Sequence, residues 1–103
     1  MAVYIAMNHF RIDPARNADF EQVWRQRESF LAEVPGFREF HLLRGPVEDG
    51  AQLYASHTVW DSEAAFKAWT ESDAFRKAHS GARTTAGFLQ GPPRFVGWQA
   101  VTL

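Results

Sequence analysis

Three observations predict an α+β fold, a ferredoxin-like split βαβ with an antiparallel sheet and helices on one face. Runs rich in β-branched and aromatic residues are separated by stretches of helical apolar spacing. Their order is β-α-β-β-α(α)-β, the split βαβ arrangement. The first strand is apolar on both faces, so the face away from the helices needs its own cover. A second copy of the chain, sheet against sheet, is the economical one, and a homodimer of one domain over 1–103 is expected.

Residues 2–12, AVYIAMNHFRI, form the first strand. Alternation places Tyr4, Ala6, Asn8, Phe10 and Ile12 on one face and Val3, Ile5, Met7 and His9 on the other. DPARNAD then makes a turn, and Asn17 or Asp19 can cap a helix over 18–34. Its apolar stripe is Phe20, Val23, Trp24, Phe30, Leu31 and Val34, interrupted by Arg27. The PG pair at 35–36 ends it. FREFHLLR, 37–44, and AQLYASHTVW, 51–60, form a hairpin across the turn GPVEDG. Asp61 or Ser62 caps a short helix carrying Phe66 and Trp69. Thr70 with Asp73 reads as a capping box that starts a further helix at 71–73, which Gly81 stops. Residues 84–93 are loop, and RFVGWQAVTL, 94–103, is the last strand.

Composition narrows the chemistry. Hydrophobic residues are 46% and aromatics 15% of the chain, which argues a folded core with aromatic surface to spare. That surplus suits a thick core, a buried interface or a pocket for a flat apolar ligand. A net charge of −1 without long runs of one sign gives no general grip on nucleic acid or anionic lipid, so neither partner is expected. The absence of cysteine excludes disulfides, thiolate nucleophiles, Cys-ligated zinc and iron–sulfur clusters. No targeting pattern stands out and no apolar run approaches the ~20 residues of a bilayer span, so a soluble cytoplasmic protein is expected. Phosphate-cradling glycine motifs and a nucleophile elbow are missing. His9, His41 and His57 fall on strands, with no carboxylate at a convincing metal-ligand spacing.

Polar residues interrupt three apolar faces: Asn8 on the first strand, Arg27 on the first helix, and His79 beside the inward stripe of Ala74, Phe75, Ala78 and Ala82. Each has a plain structural explanation. A buried Asn satisfies a backbone group, an Arg snorkels or pairs with an acid, and an inward His is a hydrogen-bonded core residue or a helix-end cation. Trp69 alone reads as core. Together they are harder to dismiss, because an unpaired buried polar group costs about 1–3 kcal/mol. On one straight helix Trp69 and His79 would stand about 15 Å and about 80° apart. A break at 70–72 and a broad ligand therefore suit the pair better than a lone metal ion.

The block TVWDSEAAFKAWTESDAFRKAH, 58–79, resembles the signature of the IsdG-type heme-degrading monooxygenases, members of the antibiotic-biosynthesis-monooxygenase superfamily of dimeric α+β barrels. The PGF at 35–37 agrees, and the similarity covers essentially the whole chain. The resemblance implies heme between sheet and helices, one per subunit. His79 would be the axial ligand to iron, Trp69 would press the porphyrin out of plane, and Asn8 would hydrogen-bond a distal ligand. Phe66 and Phe75 join the implied heme-binding set. Arg27 and Arg83 are candidates for a propionate, Arg83 reading equally as a solvated helix-end cation. With O2 and an external electron donor, a reductase or small reductant, the ring would open and iron leave. The chemistry is compatible: neutral imidazole is a good iron ligand, heme supplies the redox reactivity, and an Asn amide can donate to bound oxygen. The loop 84–93 is expected at the pocket rim. Two other classes stay open, a cofactor-independent monooxygenase of a polycyclic aromatic and a non-catalytic heme carrier. The first needs no iron ligand, so His79 in its motif argues against it; the motif does not separate turnover from carriage.

Overall fold

The chain runs β1 (Tyr4–Ile12), α1 (Asn17–Gln26), β2 (Phe37–Glu48), β3 (Ala51–Trp60), α2 (Glu63–Thr70) and β4 (Arg94–Gln99). The computed structural model describes residues 3–26, 31–73, 75–76 and 88–103. The strands make one antiparallel sheet in the order β2-β3-β1-β4, the ferredoxin-like α+β arrangement expected. β1 is central, as its two apolar faces require.

The register fixes two faces. Toward the helices point Tyr4, Ala6, Asn8, Phe10 and Ile12 of β1, opposite Trp60, Thr58, Ser56, Tyr54 and Gln52 of β3. Two aromatic clusters build the core on this face. One gathers Tyr4, Ala6, Leu31, Trp60 and Trp69. The other gathers Ile12, Phe20 and Tyr54, with Phe10, Trp24 and Phe88 against them. The opposite face carries Ile5 and Met7 of β1, Val59 of β3, Leu43 of β2 and Trp98 of β4. There Leu43 and Trp98 are 41% and 53% exposed. No described helix is long and apolar enough to cross a membrane.

Four boundaries differ from expectation. Neither Asn17 nor Asp19 caps the first helix. Asp13 caps a 3-10 turn, Pro14–Arg16, by accepting from the Ala15 amide at 3.0 Å, and the turn runs straight into α1. Proline at the first helical position favours this earlier start. Residues 31–33, expected as α-helix, form a second 3-10 turn, Leu31–Glu33. The strand expected to stop at 44 continues to Glu48, and the chain reverses on Asp49–Gly50, both at positive φ (51° and 78°). That is the two-residue hairpin geometry that Asp-Gly favours. Finally, β4 stops at Gln99, short of the expected 103.

Gly97 on β4 pairs with Ala6. A Cβ there would overlap the Tyr4 hydroxyl, whose ring is held against Phe66 at 5.4 Å. Gly97→Ala is therefore expected to destabilise the fold by about 1–3 kcal/mol through overpacking. A lower urea midpoint at unchanged slope would show it; an unchanged midpoint would mean the Tyr4 ring yields freely.

Candidate functional site

α2 places the first aromatic wall. The Ser62 hydroxyl caps the helix, accepting from the Ala65 amide at 3.1 Å. Ala65, Phe66 and Trp69 then share the sheet-facing side. The helix ends at Thr70, where the sequence predicts a break. The next turn is capped by Ser72 rather than Thr70. The Ser72 hydroxyl donates to the Trp69 carbonyl (2.6 Å) and accepts from the Phe75 amide (3.2 Å). Thr70 turns its hydroxyl back to the Lys67 carbonyl at 2.7 Å, so the expected capping box does not form. The Ser72 cap sets Phe75 edge-on to Trp69, with ring centres 4.8 Å apart and planes at 85°. Trp69 is buried and also packs on Trp60 at 5.2 Å. Phe66 stacks on Phe95 of β4 at 5.7 Å and 8°. Phe66, Trp69 and Phe75 are thus brought together.

The second wall comes from α1. Phe20 touches Phe10, Trp24, Tyr54 and Phe88 at ring distances of 4.8–6.2 Å. Of the expected loop 84–93, residues 84–87 lie outside the described residues. Beyond them the chain is tied to the end of β1: Leu89 bridges Ile12, and the Gln90 amide donates to the Arg11 carbonyl at 2.7 Å.

Asn8 sits between the walls, flanked along β1 by Ala6 of one cluster and Phe10 of the other. It is half-buried. No hydrogen bond among the described residues uses its side-chain amide. The explanation that it satisfies a neighbouring backbone group therefore finds no support here.

Glu21 forms a polar hub on the second wall that sequence reasoning did not find. Its carboxylate accepts from the Tyr54 hydroxyl at 2.6 Å, and Arg44 and Arg25 approach it at 3.2 and 3.3 Å. Arg25 stands one turn along α1 at the (i, i+4) spacing, but Tyr54 and Arg44 come from β3 and β2, so no local spacing announces those two. Burial, then the bond to Glu21 and its charge, push the Tyr54 phenol up to about 12. The unfolded chain would ionise Tyr54 near 10.0. Its contribution to stability is therefore whole below pH 10 and is lost as pH rises toward 12. Glu21→Gln is expected to bring this ionisation down, read as phenolate absorbance in an alkaline titration. An unchanged titration would assign the shift to burial alone.

The described histidines lie elsewhere. His9, His41 and His57 are on the sheet face opposite Asn8. His41 and His57 are hairpin neighbours with ring centres 6.2 Å apart, and His41 Nε2 lies 3.1 Å from Glu39. Among the described residues no group of three or more His, Cys, Asp or Glu is placed to hold a metal ion. The remaining sequence candidates, Arg27, His79 and Arg83, lie outside the described residues.

Comparison with known proteins gives this geometry relatives. A family model described as antibiotic biosynthesis monooxygenase matches residues 3–81. A heme oxygenase (mycobilin-producing) of Mycobacterium tuberculosis is 33% identical over 79 residues, 77% of this chain and 72% of the relative. A heme oxygenase (staphylobilin-producing) of Staphylococcus saprophyticus is 41% identical over 56 residues, so the match spans 53% of each chain, about half the length of that relative. Among solved structures, the heme-degrader MhuD from Mycobacterium tuberculosis, with two hemes bound in its active site, superposes with a TM-score of 0.72. It is 27% identical, and the alignment covers 96% of both chains.

Proposed function

The chain belongs to the antibiotic biosynthesis monooxygenase family, and from that premise we propose that it is a heme-degrading monooxygenase. The observation that carries the reading is the Asn8 amide between two aromatic walls, without a hydrogen-bond partner among the described residues. A flat apolar macrocycle suits the walls, and a polar ligand at its centre suits the amide. A relative matched over 77% of this chain and a solved neighbour matched over 96% of it are named for heme degradation.

Each residue then has a task. His79 holds the iron through its imidazole. Three of the four histidines in the chain, His9, His41 and His57, lie on the sheet face opposite Asn8, so His79 is the histidine left to assign to iron. Phe66, Trp69 and Phe75 would exclude water, and Trp69, held by Trp60 and Phe75, would be a rigid surface for the macrocycle to pack on. Arg27 and Arg83 pair with the propionates. The Asn8 amide donates a hydrogen bond on the distal side. Heme, when bound, supplies the iron-centred redox chemistry toward O2 and is itself the molecule opened. Electrons come from a reductase or small reductant, consistent with a cytoplasmic setting. The exposed Leu43 and Trp98 belong to the face that a second copy covers, giving a homodimeric barrel.

Hemin titration of the purified protein tests the reading. The expected result is a saturable Soret shift that bleaches when ascorbate is added in air with catalase present. A shift that survives both ascorbate and a reductase system would make the protein a carrier. No shift at all would overturn heme binding and favour a cofactor-independent oxygenase.

A further inference from the structure

Ser56 stands opposite Asn8 in the register of β1 and β3. Paired residues on adjacent strands project from the same face, so the serine hydroxyl and the asparagine amide share the floor between the walls. Ser56 is buried, at 8% exposure, yet its hydroxyl makes no hydrogen bond among the described residues. The other polar side chains of this face on β3 are all engaged. Thr58 Oγ1 donates to the Ala6 carbonyl at 3.2 Å and accepts from Trp60 Nε1 at 3.0 Å. Gln52 donates to the Gly45 carbonyl at 2.5 Å and accepts from Asn17 at 3.0 Å. Tyr54 is taken by Glu21 at 2.6 Å.

Along β3, then, the polar side chains of the helix-side face are closed on protein partners, among the described residues, except Ser56, which meets Asn8 on one rung. That rung is also the boundary between the two aromatic clusters. Ser56 Oγ is not sealed from solvent, so this hydroxyl is open to a ligand atom that takes the place of water.

We propose that Ser56 is a second ligand-binding residue of this site, its Oγ sharing with the Asn8 amide the hydrogen bonding of a small ligand on the distal side of heme. The assignment rests on the heme reading above. An amide N–H only donates, whereas a hydroxyl donates and accepts and turns to suit. Together they favour a ligand whose outer atom accepts hydrogen bonds strongly. Cyanide meets that requirement, and carbon monoxide, a weak acceptor, does not.

The experiment loads the full chain with hemin, then titrates cyanide onto the ferric form and carbon monoxide onto the ferrous form. Ser56→Ala is expected to keep the Soret shift on hemin binding, to weaken cyanide about 2- to 10-fold, the range one hydrogen bond commands, and to leave carbon monoxide nearly unchanged. Ser56→Thr, which keeps the hydroxyl, restores cyanide affinity. Wild-type cyanide affinity in Ser56→Ala would overturn the proposal. So would equal weakening of both ligands, which marks a general disturbance of the pocket. Failure of the unsubstituted protein to shift hemin's Soret band would instead overturn the heme reading, and this assignment with it.

Discussion

Replacing His79 by alanine is expected to weaken hemin binding by more than about 100-fold, beyond what loss of a mere outer partner of a metal ligand costs. The size of the effect follows from the lack of substitutes. Cysteine is absent, and His9, His41 and His57 lie on the other face of the sheet. The two tyrosines could ligate iron only as phenolates. Burial pushes the Tyr4 phenol up, and Tyr54 is raised to about 12 and already donates to Glu21. A hemin titration followed at the Soret band measures the loss. Added imidazole is expected to restore the band by filling the vacated position, which a misfolded variant would not allow. Wild-type affinity in His79→Ala would move the ligand elsewhere.

Trp60→Ala is expected to be among the most damaging changes to stability. Trp60 is fully buried and packs on Phe37 at 5.7 Å, Phe66 at 5.8 Å and Trp69 at 5.2 Å. Truncating a buried Trp costs about 3–5 kcal/mol, a large part of the roughly 5–15 kcal/mol that holds a domain together. The melting temperature is expected to fall by about 15 °C or more. Trp60→Phe keeps most of the packing but loses the Nε1 donor to Thr58, so it should cost much less. Calorimetry and urea midpoints of the two variants give the comparison. Similar losses in both would place the stabilisation in that hydrogen bond rather than in packing.

The strands were the most legible part of the sequence. β3 has the expected limits, and the faces of β1 follow its alternation, because a central strand buried between two others has its period enforced on both sides. The hairpin turn was misjudged for a physical reason. GPVEDG has turn composition throughout, but only Asp49 and Gly50 are needed to reverse the chain. Gly45 and Pro46 fall at an irregularity in β2, an edge strand, where proline's missing donor is tolerated. Capping was ambiguous because several Ser, Thr, Asp and Asn residues stand within one turn of each helix start. Packing chose Asp13 and Ser72.

The site divides in the same way. Asn8, Phe66, Trp69 and Phe75 were readable because each breaks or fills a periodic face. Ser56 and the Glu21–Tyr54 pair were not, since their meaning depends on which strand lies opposite and where α1 docks. The ten-residue interval from Trp69 to His79 was readable, and so was the end of α2 at Thr70, after which Ser72 caps a new turn.

The division of the core into two aromatic clusters has a consequence for how such a sequence can change over generations. The residues that keep the chain folded, Trp60 at one end and Phe20 and Ile12 at the other, do not share the rung where Asn8 and Ser56 meet. Substitutions on that rung alter what the floor can hold, while the packing at either end stays intact, as expected of sites with few common partners. Selection can therefore rewrite the reaction without first rescuing the fold, and one scaffold can be inherited by oxygenases of different substrates.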